Sequence, residues 1–117
     1  MYRLESGVSE AGFKECLEGS GQLLILCTEE ARTGRGNFQG GWQLFAFNPE
    51  TERWATLNLF RPRRGVTPPR IIKTVNGVCS FIIDAGFPAG IIPFKVGSGV
   101  EASKAGDVRY ISRVVFD

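Results

Sequence analysis

The chain of 117 residues and 12.8 kDa is 43% hydrophobic, 22% charged and 11% aromatic, which excludes disordered, collagen-like and coiled-coil classes. Surface scaling gives about 6,300 Å² folded against about 18,600 Å² extended, enough for one core, so residues 1–117 are expected to form a single domain. The sequence has no histidine, so Ser-His or Cys-His nucleophiles, His-ligated zinc and an imidazole base are ruled out.

The net charge of +2 is unevenly spread. Residues 1–30 hold two basic and six acidic side chains, residues 31–73 eight basic and two acidic, and residues 74–117 four of each. A basic middle third after an acidic start can build an anion-binding patch or complementary faces for self-association. Cys16, Cys27 and Cys79 contain no CxxC pair, and Cys27 and Cys79 lie inside apolar runs. They read as reduced structural thiols, which suits a reducing compartment and a cytoplasmic location. No secretory leader opens the sequence, and its apolar runs are too short to span a membrane, so no membrane partner is expected.

In chain order, Tyr2–Glu5 alternates and predicts a short first strand. Ser9 is placed as a helix N-cap, with Val8 and Phe13 positioned as a hydrophobic staple. Phe13, Cys16 and Leu17 then form one helical face that Gly19 ends; this is the only substantial helix expected. Leu23–Cys27 is a continuous apolar run, suited to a central strand covered on both faces. Trp42–Phe47 and Arg53–Phe60 flank Asn48-Pro49-Glu50-Thr51, a type I turn signal, and predict a hairpin. Asn76-Gly77 between Ile71–Val75 and Val78–Asp84 predicts a second, two-residue hairpin. It would place Ile72, Thr74, Cys79, Phe81 and Ile83 on one face, and Lys73, Ser80 and Asp84 on the other. Ile91–Val96 and Val108–Phe116 supply two further strands, with Pro93 marking an edge or bulge. The expected fold is α+β and mainly β: about seven antiparallel strands in a curled sheet or barrel-like half-shell with one N-terminal helix.

Three groups of residues are candidates for function. Arg32, Arg35, Arg61, Arg63, Arg64 and Arg70 lie in Gly/Pro-rich loops near Phe38, Trp42 and Phe60. Such loops can hold phosphates and stack bases, which makes single-stranded nucleic acid or another polyanion one candidate partner. Asp84 ends an apolar strand on a face with Lys73 and Ser80. If buried it could act as a general base, or border a small-ligand cavity with Lys73 and Tyr110. Finally, Trp42, Leu44 and Ala46 occupy one face of their strand and Phe45 and Phe47 the other, while Val108–Phe116 is apolar on both sides. Two-sided apolar strands in so small a domain point to an oligomer interface anchored by Trp42, Phe45, Phe47, Trp54 and Tyr110. Neither GxGxxG nor GxxxxGK[ST] occurs, and no alternating acids form a calcium loop, so no cofactor or metal is expected. The leading reading is a non-catalytic binding module that self-associates, with polyanion binding and a small-ligand barrel as alternatives.

Overall fold

The computed structural model describes residues 7–8, 10–34, 38–57 and 70–116. The elements are β1 (Gly7–Val8), α1 (Glu10–Cys16), β2 (Gln22–Thr33), β3 (Phe38–Asn48), β4 (Arg53–Leu57), β5 (Ile71–Thr74), α2 (Val75–Asp84), β6 (Gly99–Ser103) and β7 (Val108–Ile111). The strands form one open sheet in the order β1-β4-β3-β2-β6-β7, with β5 also paired to β3. Every pair is antiparallel except β1 with β4. Strand accounts for 46% of the described residues, so the fold is α+β and mainly β. Among the described residues no helix is long and apolar enough to cross a membrane.

The apolar run in β2 lies between β3 and β6, as its pattern predicts. Leu23, Ile25 and Cys27 face the helices and Leu24 the opposite side, and all four are buried. The first face joins one core cluster with Phe13 and Cys16 of α1 and Leu17 just after it, Trp42, Leu44 and Ala46 of β3, and Val78, Phe81 and Ile82 of α2. Phe13 and Phe81 meet edge to face at 5.5 Å, linking the two helices over the sheet. The predicted helical face of Phe13, Cys16 and Leu17 is therefore observed, and Gly19 leaves the helix with a φ of 65°. The predicted Tyr2–Glu5 strand, the Ser9 cap and the Val8 staple contact lie outside the described residues.

The β3–β4 hairpin forms with Asn48 opposite Arg53. Buried Asn48 organises it: its side-chain oxygen accepts from Glu50 N at 3.0 Å and Thr51 N at 3.4 Å. Its Nδ2 donates to Cys16 O at 3.0 Å and Glu18 O at 2.9 Å, tying the turn to the end of α1.

The second predicted hairpin does not form, because Val75–Asp84 is the helix α2. Thr74 has extended backbone angles, and its hydroxyl accepts from Gly77 N at 3.0 Å, the geometry of an N-cap. At the other end, Gly86 N donates to Ile83 O and Phe87 N to Ile82 O, with Gly86 at a φ of 88°. That is a Schellman stop. Val78, Phe81 and Ile82 recur at helical spacing and are buried, whereas Ile83, expected on the core face of a strand, is 70% exposed. Capping and burial together outweigh the turn preference of Asn76-Gly77, so the described residues form two helices rather than one.

Two more differences concern the C-terminal third. Ile91–Val96 is not a strand: Pro93 has no N–H to give a ladder, and its carbonyl accepts from Trp42 Nε1 at 2.7 Å. The segment runs past β2 with separate bonds, among them Ala31 N to Phe94 O at 3.0 Å. On its edge away from β3, β2 pairs instead with β6, a strand that the sequence pattern does not predict. The last strand is shorter than predicted, ending at Ile111. Beyond it the chain turns across the sheet face away from the helices. Val114 N donates to Gly97 O at 2.8 Å, and the Phe116 ring packs on Phe45 at 5.0 Å. Gly99 gives this strap its room, since a Cβ there would lie 2.6 Å from Val114 Cγ2.

Asn48→Ala removes the side-chain donor to the Cys16 and Glu18 carbonyls and the side-chain acceptor of the Glu50 and Thr51 N–H groups. It should lower unfolding free energy by about 2–3 kcal/mol in urea denaturation.

Candidate functional site

Alternation along the strands sends a defined set of side chains to the face opposite the helices. Thr56, Phe45, Leu24, Glu101 and Arg109 stand in register across β4, β3, β2, β6 and β7. The neighbouring row is Trp54, Phe47, Gln22 and Ser103. The strap covers part of this face at Gly99 and Phe45. Beside it opens a groove of about 360 Å³ lined by Gln22, Leu24, Phe45, Phe47, Trp54 and Arg109, among others. Leu24 and Phe45 form a buried floor, and half-buried Phe47 and Trp54 pack ring to ring at 4.4 Å as one wall. At the other end Arg109 Nη2 donates to Glu101 Oε1 at 2.8 Å, a cross-strand ion pair with the arginine 71% exposed.

The five predicted interface residues divide three ways. Phe45, Phe47 and Trp54 line the groove. Trp42 is fully buried on the helix side and offers no surface. Tyr110 is 52% exposed but pairs with Val100 on the other face of the sheet. Gln22, Leu24, Glu101 and Arg109 were not among the candidates. The signal that finds the last two is the charge pair flanking Ser103–Asp107, legible only once that stretch is seen as a hairpin loop.

Of the predicted polyanion-binding arginines, Arg35, Arg61, Arg63 and Arg64 lie outside the described residues. Arg32 lies 3.5 Å from Glu29 and Arg70 3.5 Å from Glu10. Lys73 also donates to Glu29, at 2.9 Å. This hydrogen bond and the Lys73 charge, with Arg32 adding, hold the Glu29 carboxyl below its ordinary value. Within the described residues, the charges that the sequence segregates thus meet one another: acids of the first thirty positions face bases of the middle third.

Asp84 is exposed in the last turn of α2 and does not share a strand face with Lys73 and Ser80. Lys73 precedes the other end of that helix, about 15 Å of rise away, with its amine on Glu29. Tyr110 sits on β7. The proposed Asp84–Lys73–Tyr110 cavity is therefore not assembled, because its premise was the hairpin that α2 replaces. Cys16 and Cys27 are buried, and burial pushes both thiols up despite Arg53 near Cys16 and the Glu29 carbonyl that Cys27 Sγ faces at 3.2 Å. They stay protonated and unreactive at neutral pH. Among the described residues, no three His, Cys, Asp or Glu side chains gather as a metal site.

Comparison with protein-family models, curated proteins and solved structures finds no match in any of the three.

Iodoacetamide at pH 8 should alkylate half-buried Cys79 at least about tenfold faster than Cys16 or Cys27, read by peptide mass mapping. Equal rates would contradict the burial of the latter two.

Proposed function

We propose that this protein is a small non-catalytic interaction module that self-associates through the sheet face opposite its helices. The supporting observation is the apolar groove itself: Phe47 and Trp54 wall a floor of Leu24 and Phe45 on the face where no described helix lies. Interface anchors are enriched in tryptophan and arginine set in desolvated pockets, and the groove offers Trp54 and Arg109 at its ends. Exposed Asp84 and the protonated thiols of Cys16 and Cys27 supply no activated nucleophile. Three unpaired cysteines suit a reducing compartment such as the cytoplasm.

One observation favours a second reading. A volume of about 360 Å³ falls within the range of small-molecule sites, so the same groove can take an apolar ligand instead of a protein surface. Polyanion binding has less support, because Arg32 and Arg70 already face carboxylates.

Sedimentation of the wild type should show a mass that rises with concentration to a multiple of 12.8 kDa. Phe47→Ala should weaken that association by about tenfold or more while the thermal midpoint changes little. A strictly monomeric wild type overturns self-association. A monomer carrying one discrete small adduct in native mass spectrometry favours the ligand reading, and affinity for single-stranded DNA that falls steeply with salt favours the polyanion reading.

A further inference from the structure

We infer that the segment after β7, residues 112–116, is a displaceable strap that caps part of the groove floor in cis and so gates the entry of a small apolar ligand. This deepens the small-ligand reading of the groove and needs no second copy of the chain.

The strap alternates between the sheet and solvent, as an extended run does. Ser112 and Arg113 form a bend at the end of β7 and are exposed. Val114 and Phe116 are half-buried, while Val115 between them is 57% exposed. Val114 N donates to Gly97 O at 2.8 Å, and its side chain sits over the bare backbone of Gly99. A Cβ on Gly99 would lie 2.6 Å from Val114 Cγ2 and 3.1 Å from Leu24 Cδ1, so both side chains close over that residue. Two residues on, the Phe116 ring tilts against Phe45 with centroids 5.0 Å apart.

Leu24 and Phe45 are therefore shared. The strap buries them, and they also floor the groove of about 360 Å³ beside it. Among the described residues, neither belongs to the cluster that ties α1 and α2 to the other face of the sheet, and neither do Val114 and Phe116. Lifting the strap leaves that helix-side core in place, together with the pairing of β2 with β3 and β6. Segments held apart from the main core open locally at a lower cost than global unfolding. When Phe116 leaves Phe45, the groove lengthens over a phenyl ring and an aliphatic side chain. The ligand that replaces Phe116 there is uncharged and apolar, because burial of apolar surface is what the strap supplies in the closed state.

Limited trypsin digestion and a fluorescent apolar probe test the strap and the gate in turn. Arg113 lies in the bend of the strap, and Lys73 lies in β5 just before α2. In Phe116→Ala, cleavage after Arg113 should be about tenfold faster than in the wild type while cleavage after Lys73 is unchanged, since cleavage follows the population of the open form. The same variant should bind N-phenyl-1-naphthylamine about tenfold more tightly, because its binding-competent state no longer has to be opened. Gly99→Ala repeats both measurements by pushing Val114 off its seat while Phe116 is kept, so loss of folding in one variant does not decide the outcome. Cleavage at Arg113 and Lys73 rising together overturns a strap that moves apart from the core. Equal probe affinity in the wild type and both variants overturns the gate and leaves the groove standing as a ligand site. No probe binding by any of the three overturns the gate and the small-ligand reading together.

Discussion

A sheet has two faces, and among the described residues two helices, of seven and ten residues, are available to cover them. Both lie on the same side, joined over the sheet by the Phe13–Phe81 contact. What the described residues form on the other side follows from that arrangement. The strap after β7 shields Gly99 and Phe45, and beside it the described residues leave a groove between Trp54 and Arg109. Apolar area left open in this way is a common mark of a binding surface.

The central strand β3 links the covered and uncovered sides. Its edges pair with β2 on one side and with β4 and β5 on the other. Its alternate side chains supply both layers: Trp42, Leu44 and Ala46 to the core, Phe45 and Phe47 to the groove. Trp42 also anchors the segment that follows α2, through its bond to the Pro93 carbonyl. Ion pairs such as Lys73–Glu29 and Arg70–Glu10 are exposed and contribute little to stability. Their effect is to satisfy locally the charges that a sequence reading could assign to a polyanion.

The β-rich class, the central position of Leu23–Cys27, the helical face of Phe13, Cys16 and Leu17, and the Asn48 hairpin were legible in the sequence. Each rests on local signals that tertiary packing reinforces. The stretch from Thr74 to Gly86 carries two local messages at once. Asn76-Gly77 signals a turn between strands, whereas Thr74 and Gly86 bracket a capped helix with Val78, Phe81 and Ile82 on one side. Burial against Phe13 and the sheet decides between them, and that contact spans nearly seventy residues. The groove was partly legible: Phe45, Phe47 and Trp54 follow from alternation along a recognised hairpin. Glu101 does not, because β6 gains identity only by pairing beside β2, and Arg109, on a strand that the sequence does predict, joins the groove only through its register with Glu101.

The two tryptophans allow a direct test of the central claim that the groove face is the working surface. Trp42 is fully buried in the core, and Trp54 is half-buried in the groove wall. Acrylamide quenching of tryptophan fluorescence across a dilution series separates them, since only Trp54 changes environment on association. A quenchable fraction that appears on dilution and disappears at high protein concentration is the predicted result. A quenchable fraction that stays constant while sedimentation reports self-association would place the contact elsewhere and contradict the account.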